Sequence, residues 1–285
     1  MRYLLCLLCF FITLPAQASE ITLISDIAYG TEHLQKLDIY QPRQCPEKGC
    51  PVVIWVHGGG WVINDKTDQA CQELCTSWAR LGNIVVSINY RLSPSNLHPA
   101  HTEDVAAAIA WTKQNILRFN GNPDRLYLLG HSAGAHLLAL VSTAPEFLAQ
   151  HNLTPAKDIR AVFAVDAAAY DLTRQRHILG ELIDTAFGSD ENTLFSASPL
   201  KRIKPTGQYP RFSMIAIRQR MLFLIQAQRM VEALQAGGNK AERLIIEYPN
   251  EHTELGAHMR LLRDLGDTSK PMTQHFLKII SEDNR

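Results

Sequence analysis

The segment Gly130-His131-Ser132-Ala133-Gly134 is where residue type and spacing in this chain first point to chemistry. An apolar run at 126–129 leads into it, and a helical pattern beginning Ala135-His136-Leu137-Leu138 leaves it. A serine between glycines at a strand-to-helix turn is lifted above the sheet edge, with its hydroxyl free to attack a carbonyl carbon. The N-terminus of the following helix favours negative charge beside it. Ser132 is therefore the expected nucleophile, and His131 is read as packing or lining, not as the base.

A second motif, His57-Gly58-Gly59-Gly60-Trp61, follows the apolar run at 52–56. Acyl transfer passes through a tetrahedral oxyanion that needs preorganised N–H donors. Glycines let the backbone approach that oxygen with no side chain in the way. Gly58 and Gly59, with the N–H of Ala133, are expected to form the oxyanion hole. No P-loop lysine and serine follow, so the glycines are not read as a phosphate cradle.

These motifs need strand ends gathered on one edge. Compact apolar runs recur at 52–56, 84–88, 126–129, 161–165, 212–217 and 244–246. They lack in-out alternation, as strands buried on both faces do. Between them lie helical stripes: Val105, Ile109, Thr112 and Ile116, then Leu224, Ala227, Val231 and Leu234 before Gly237-Gly238. Pro271 opens a last helix with Met272, Phe276 and Ile279 on one face. Segments 21–28 and 34–40 read as an antiparallel hairpin. The expected fold is α/β, a mostly parallel doubly wound sheet of about eight strands with helices on both faces.

Met1-Arg2, the apolar stretch 3–15 and Ala16-Gln17-Ala18 match a cleaved secretory signal. Residues 1–18 are expected to be removed, leaving 19–285 as a single domain in a secreted or periplasmic protein. No other stretch is long and apolar enough to span a membrane. Charge is balanced, 28 basic against 28 acidic residues, which gives no reason to expect a nucleic-acid partner. Cys45, Cys50, Cys71 and Cys75 remain for an oxidising compartment. Cys45–Cys50 suits a loop staple, whereas Cys71 and Cys75 fall one helical turn apart, where a bridge is strained. No histidine sits near them at zinc-finger spacing, and no metal is expected.

In this order, about 75 residues apart, the two motifs resemble those of the hormone-sensitive-lipase-like and feruloyl-esterase-like branch of the α/β-hydrolases. Asn89-Tyr90-Arg91-Leu92, Pro99, Asp104, Trp111, Asn122-Pro123-Asp124-Arg125 and Ala197-Ser198-Pro199 extend the resemblance, which covers roughly residues 35–280. It implies hydrolysis of small carboxylic esters through an acyl-enzyme, with no cofactor. It also implies structural roles for Asp104 and Trp111. Trp61 and residues 172–195 are expected to line or cover a pocket for a small or medium ester. An arylformamidase-like amidase or peptidase on the same fold stays open, as does a catalytically inactive binding member.

The base should be a histidine after the last strand. His252 follows that strand within four residues, the short loop that would bring an imidazole to within about 3 Å of the serine oxygen. His258 is the rival, placed before Leu265-Gly266 as relatives place theirs. Relatives carry an aspartate after the strand at 212–217, where this chain reads Arg218-Gln219-Arg220-Met221-Leu222. Asp166, after the neighbouring strand 161–165, is the expected substitute. Asp171 comes second and Glu254 third.

Overall fold

The computed structural model describes residues 21–283, so the expected signal sequence lies outside the described residues. Eight strands form one sheet: β1 (Ile21–Ala28), β2 (Lys36–Pro42), β3 (Cys50–Val56), β4 (Ile84–Ile88), β5 (Gly121–His131), β6 (Ala161–Val165), β7 (Arg211–Ile217) and β8 (Ala241–Ile246). Their spatial order is β1-β2-β4-β3-β5-β6-β7-β8. The pairs β1–β2 and β2–β4 are antiparallel, and every pairing from β4 through β3 to β8 is parallel.

The helices are α1 (Gln69–Arg80), α2 (Ala100–Asn115), α3 (Ala133–Thr143), α4 (Glu146–Ala149), α5 (Pro155–Asp158), α6 (Leu172–Phe187), α7 (Glu191–Ser196), α8 (Pro199–Arg202), α9 (Met221–Ala236), α10 (Glu254–Asp264) and α11 (Pro271–Glu282). Along β3, Val52, Ile54 and Val56 pack with α2, α3 and α9 on one face. Val53 and Trp55 pack with α1, α10 and α11 on the other. Both faces of the central strands are thus sealed, and this explains their unbroken apolar runs. The predicted stripes on α2, α9 and α11 are buried. Pro271 starts α11, where a missing N–H costs nothing.

Several strand boundaries differ from the sequence reading. β2 runs two residues later because Pro42 still pairs with Ile21. β5 begins five residues earlier because Gly121 pairs with Cys50 across a register shift. Cys45 and Cys50 are disulfide-bonded, while Cys71 and Cys75 are free and buried on α1. Burial pushes the Cys71 thiol up to about 11 and Cys75 well above its usual range, so both stay protonated packing groups at neutral pH.

Candidate active site

Ser132 sits between β5 and α3 with φ 54° and ψ −118°. This left-handed conformation is strained for a side-chain-bearing residue. It persists because the turn is pinned on both sides: Ser132 N–H donates to Val165 O at 3.0 Å, and Ser132 O accepts from Ala168 N at 3.1 Å. The motif glycines are sterically required. A Cβ on Gly134 would lie 2.1 Å from Val56 O, and one on Gly130 would lie 2.8 Å from the carbonyl carbon of Gly134.

The loop after β3 abuts this turn, since a Cβ on Gly58 would come within 3.1 Å of Ser132 Cβ. Gly59 has φ 100°, and a Cβ there would meet Ile63 O at 2.2 Å. Tyr90 fixes the loop from behind. Its hydroxyl lies 3.1 Å from His57 O and 3.3 Å from Gly58 O, and His57 Nδ1 also contacts Gly58 O at 2.8 Å. Both peptides are trans, so pinning their carbonyls turns the N–H groups of Gly58 and Gly59 to the opposite side. The His57 ring stacks on Tyr90 and burial lowers its pKa, which keeps it a neutral brace. Further along, the buried Lys66 ties the loop to the hairpin through Asp38 at 2.8 Å and Asp26 at 2.9 Å.

The remaining components come from the other half of the sheet. Asp166 leaves β6 with φ 44° and is almost wholly buried. Its Oδ2 lies 2.5 Å from His258 Nδ1. His258 is in the second turn of α10, and its ring lies on that of His131, with centroids 4.2 Å apart. As His131 directly precedes Ser132, this contact sets His258 beside the turn. Burial, and then the proximity of His258, hold the His131 pKa well below the ordinary range. It is a neutral packing surface.

The sheet brings Asp166 and His258 together, but not the other candidates. His252 is exposed in the segment between β8 and α10, so the short-loop argument that favoured it does not hold. The chain passes that position and returns through the first turn of α10. Asp171 precedes α6, accepts from Thr173 Oγ1 at 2.6 Å and faces Lys201 Nζ at 3.3 Å. Glu254 is exposed, 3.9 Å from Arg220 Nε. His275, on α11, is half-buried with Nε2 2.8 Å from Ser213 Oγ. The sequence reading gave no role to Tyr90 and none to Arg220, whose Nη1 reaches both Asp166 Oδ2 and His258 Nδ1. Tyr90 was findable, because it follows β4 directly and β4 lies beside β3.

Helix α6 leaves helical geometry at Leu179 (φ −111°, ψ 32°). It flanks an open groove of about 550 Å³ lined by Val62, Pro94, Ile178, Leu179 and Leu182. Leu182 also packs on Gly60, 3.0 Å from where its Cβ would lie, so the groove adjoins the glycine loop.

Residues 37–206 match the BD-FAE family model, more than half of the chain. The chain belongs to the BD-FAE family. This is a hormone-sensitive-lipase-like family of α/β-hydrolases. Among relatives, esterase LipQ of Mycobacterium tuberculosis is 36% identical over 243 residues, which cover 80% of this chain and 56% of LipQ. The chain thus spans little more than half of that relative's length. Kynurenine formamidase of Danio rerio is 26% identical over 263 residues, covering 91% of this chain and 82% of its own. Among solved structures, esterase B from Lactobacillus rhamnosis superposes with a TM-score of 0.73 at 18% identity, over 94% of this chain and 88% of that one. That similarity shows the α/β-hydrolase fold.

Proposed function

We propose that the protein hydrolyses small or medium carboxylic esters, with Ser132 as nucleophile, His258 as general base and Asp166 as its orienting acid. The observation that carries this reading is the 2.5 Å contact between Asp166 Oδ2 and His258 Nδ1 beside the Ser132 turn. A proton held on Nδ1 leaves Nε2 as the acceptor for the serine proton. Ser132 Oγ then attacks the ester carbon, and the oxyanion is held by N–H groups of Gly58, Gly59 and Ala133. His258 returns the proton to the departing alcohol and next activates the water that cleaves the acyl-enzyme. The apolar groove beside the glycine loop suits the hydrocarbon part of such an ester. Export as a protein beginning at Ser19 is part of the same proposal, and the Cys45–Cys50 disulfide supports it. Among the described residues no helix is long and apolar enough to cross a membrane.

A formamidase reading competes, because the kynurenine formamidase matches this chain over most of its own length. Turnover of nitrophenyl butyrate against N-formylkynurenine separates the two by kcat/KM. Fluorophosphonate labelling and ester turnover test the residues. Ser132→Ala abolishes labelling, and His258→Ala lowers kcat by about a thousandfold or more, whereas His252→Ala keeps at least about a tenth. The reverse result for the two histidines would return the base to His252.

A further inference from the structure

We propose that Arg220 is a positioning residue of this reaction: its guanidinium anchors the Asp166 carboxylate in the place from which it orients the His258 imidazole. The inference rests on the assignment of Ser132, His258 and Asp166 above.

Three atoms form a triangle. Asp166 Oδ2 lies 2.5 Å from His258 Nδ1, Arg220 Nη1 lies 2.8 Å from that nitrogen, and Arg220 Nη1 also bonds to Oδ2. Nδ1 must carry the ring proton if Nε2 is to accept from Ser132, and a protonated Nδ1 cannot accept from a guanidinium. Both N–H donors therefore converge on the one carboxylate oxygen. The carboxylate is buried and the guanidinium nearly so, where an unpaired charge is costly. Each holds the other in place.

From α10, Glu254 is exposed and 3.9 Å from Arg220 Nε, while Arg260 is paired with Asp264 at 3.1 Å, so Arg220 is the cationic side chain that holds Asp166. A merely structural role competes, since Arg220 precedes α9 and lies over the Phe223 ring at 3.7 Å.

The test is kcat and KM for a nitrophenyl ester, with melting curves, on the full chain and its Arg220→Gln, Arg220→Met and Arg220→Lys variants. Loss of the anchor in Arg220→Gln is expected to lower kcat by about tenfold, with KM changed less than about twofold. Arg220→Lys, which can still bond the carboxylate, is expected to recover most of kcat. Should Arg220→Gln not fold, Arg220→Met keeps the contact with Phe223 and carries the same expectation. If Arg220→Gln and Arg220→Met melt lower but keep the wild-type kcat, Arg220 only anchors α9 and the proposal is overturned. A fully active His258→Ala would instead overturn the assignment of the base, so the two failures are distinguishable.

Discussion

The candidate site has two halves built on different physical principles. Around Ser132 and the loop 57–61, geometry is enforced by steric exclusion: Gly59, Gly130 and Gly134 have no room for a larger residue, and Gly58 has little. Around His258, it is enforced by charge and hydrogen bonding among Asp166, Arg220 and the imidazole, contributed by three separate segments. Sterically built turns are local, and each can be read within five residues. Charge-built clusters depend on where distant strand ends and helices meet, so their members carry no signature of their own.

Substitutions should expose this difference. The largest effect is expected in the charge-built half. Asp166→Asn should lower kcat by about a thousandfold, because an amide selects the wrong imidazole tautomer. It should also lower the melting temperature, since Arg220 is left without its partner. An activity loss below about tenfold would mean that the two halves work without an acid.

A smaller loss is expected behind the glycine loop. Tyr90→Phe removes the hydroxyl that bonds the carbonyls of His57 and Gly58 without touching a donor directly, so kcat should fall about tenfold with KM little changed. An unchanged kcat would show that sterics alone orient the loop, which makes the contrast between the halves sharper still.

The mildest prediction concerns acid and stability. His98 and His101 are held down to about 4, and His136 to about 3, chiefly by burial around Phe187 and Trp61. Their folded pKa values lie below the ordinary 6.5, so the unfolded chain takes up protons first as pH falls. Stability from this cluster is complete above pH 6.5 and is lost as pH falls from there to about 4 for His98 and His101 and to about 3 for His136. The melting temperature should drop by several degrees over that interval, and more gently in His98→Gln. A flat profile would mean that the cluster is hydrated and takes up protons in the folded state.

Legibility followed the same division. Ser132, the glycine loop and the eight-strand sheet could be read because turn chemistry and buried apolar runs are local signals. The place of Asp166 beside the serine turn was legible because parallel strands open their carboxyl ends on one crevice. The choice of His258 over His252 was not, since it depends on the path of residues 247–253 and on α10 bringing its second turn back over β5. Arg220 carried no signal of its own, because its partner Asp166 lies 54 positions earlier. The burial of His275 carried no local signal either, because its partner Ser213 lies 62 positions earlier on β7.

The position of α10 also orders events during biosynthesis. The segment is fastened to the rest of the molecule where Trp78 Nε1, on α1, donates to Leu265 O at 2.8 Å across 187 positions. Ser132 and its glycine loop leave the ribosome more than a hundred residues before His258 does. A nascent chain, or one truncated before residue 258, carries the serine turn without the proposed base. In the proposed reading the imidazole therefore joins the serine late, after the segment ending at Leu265 has docked against the first helix.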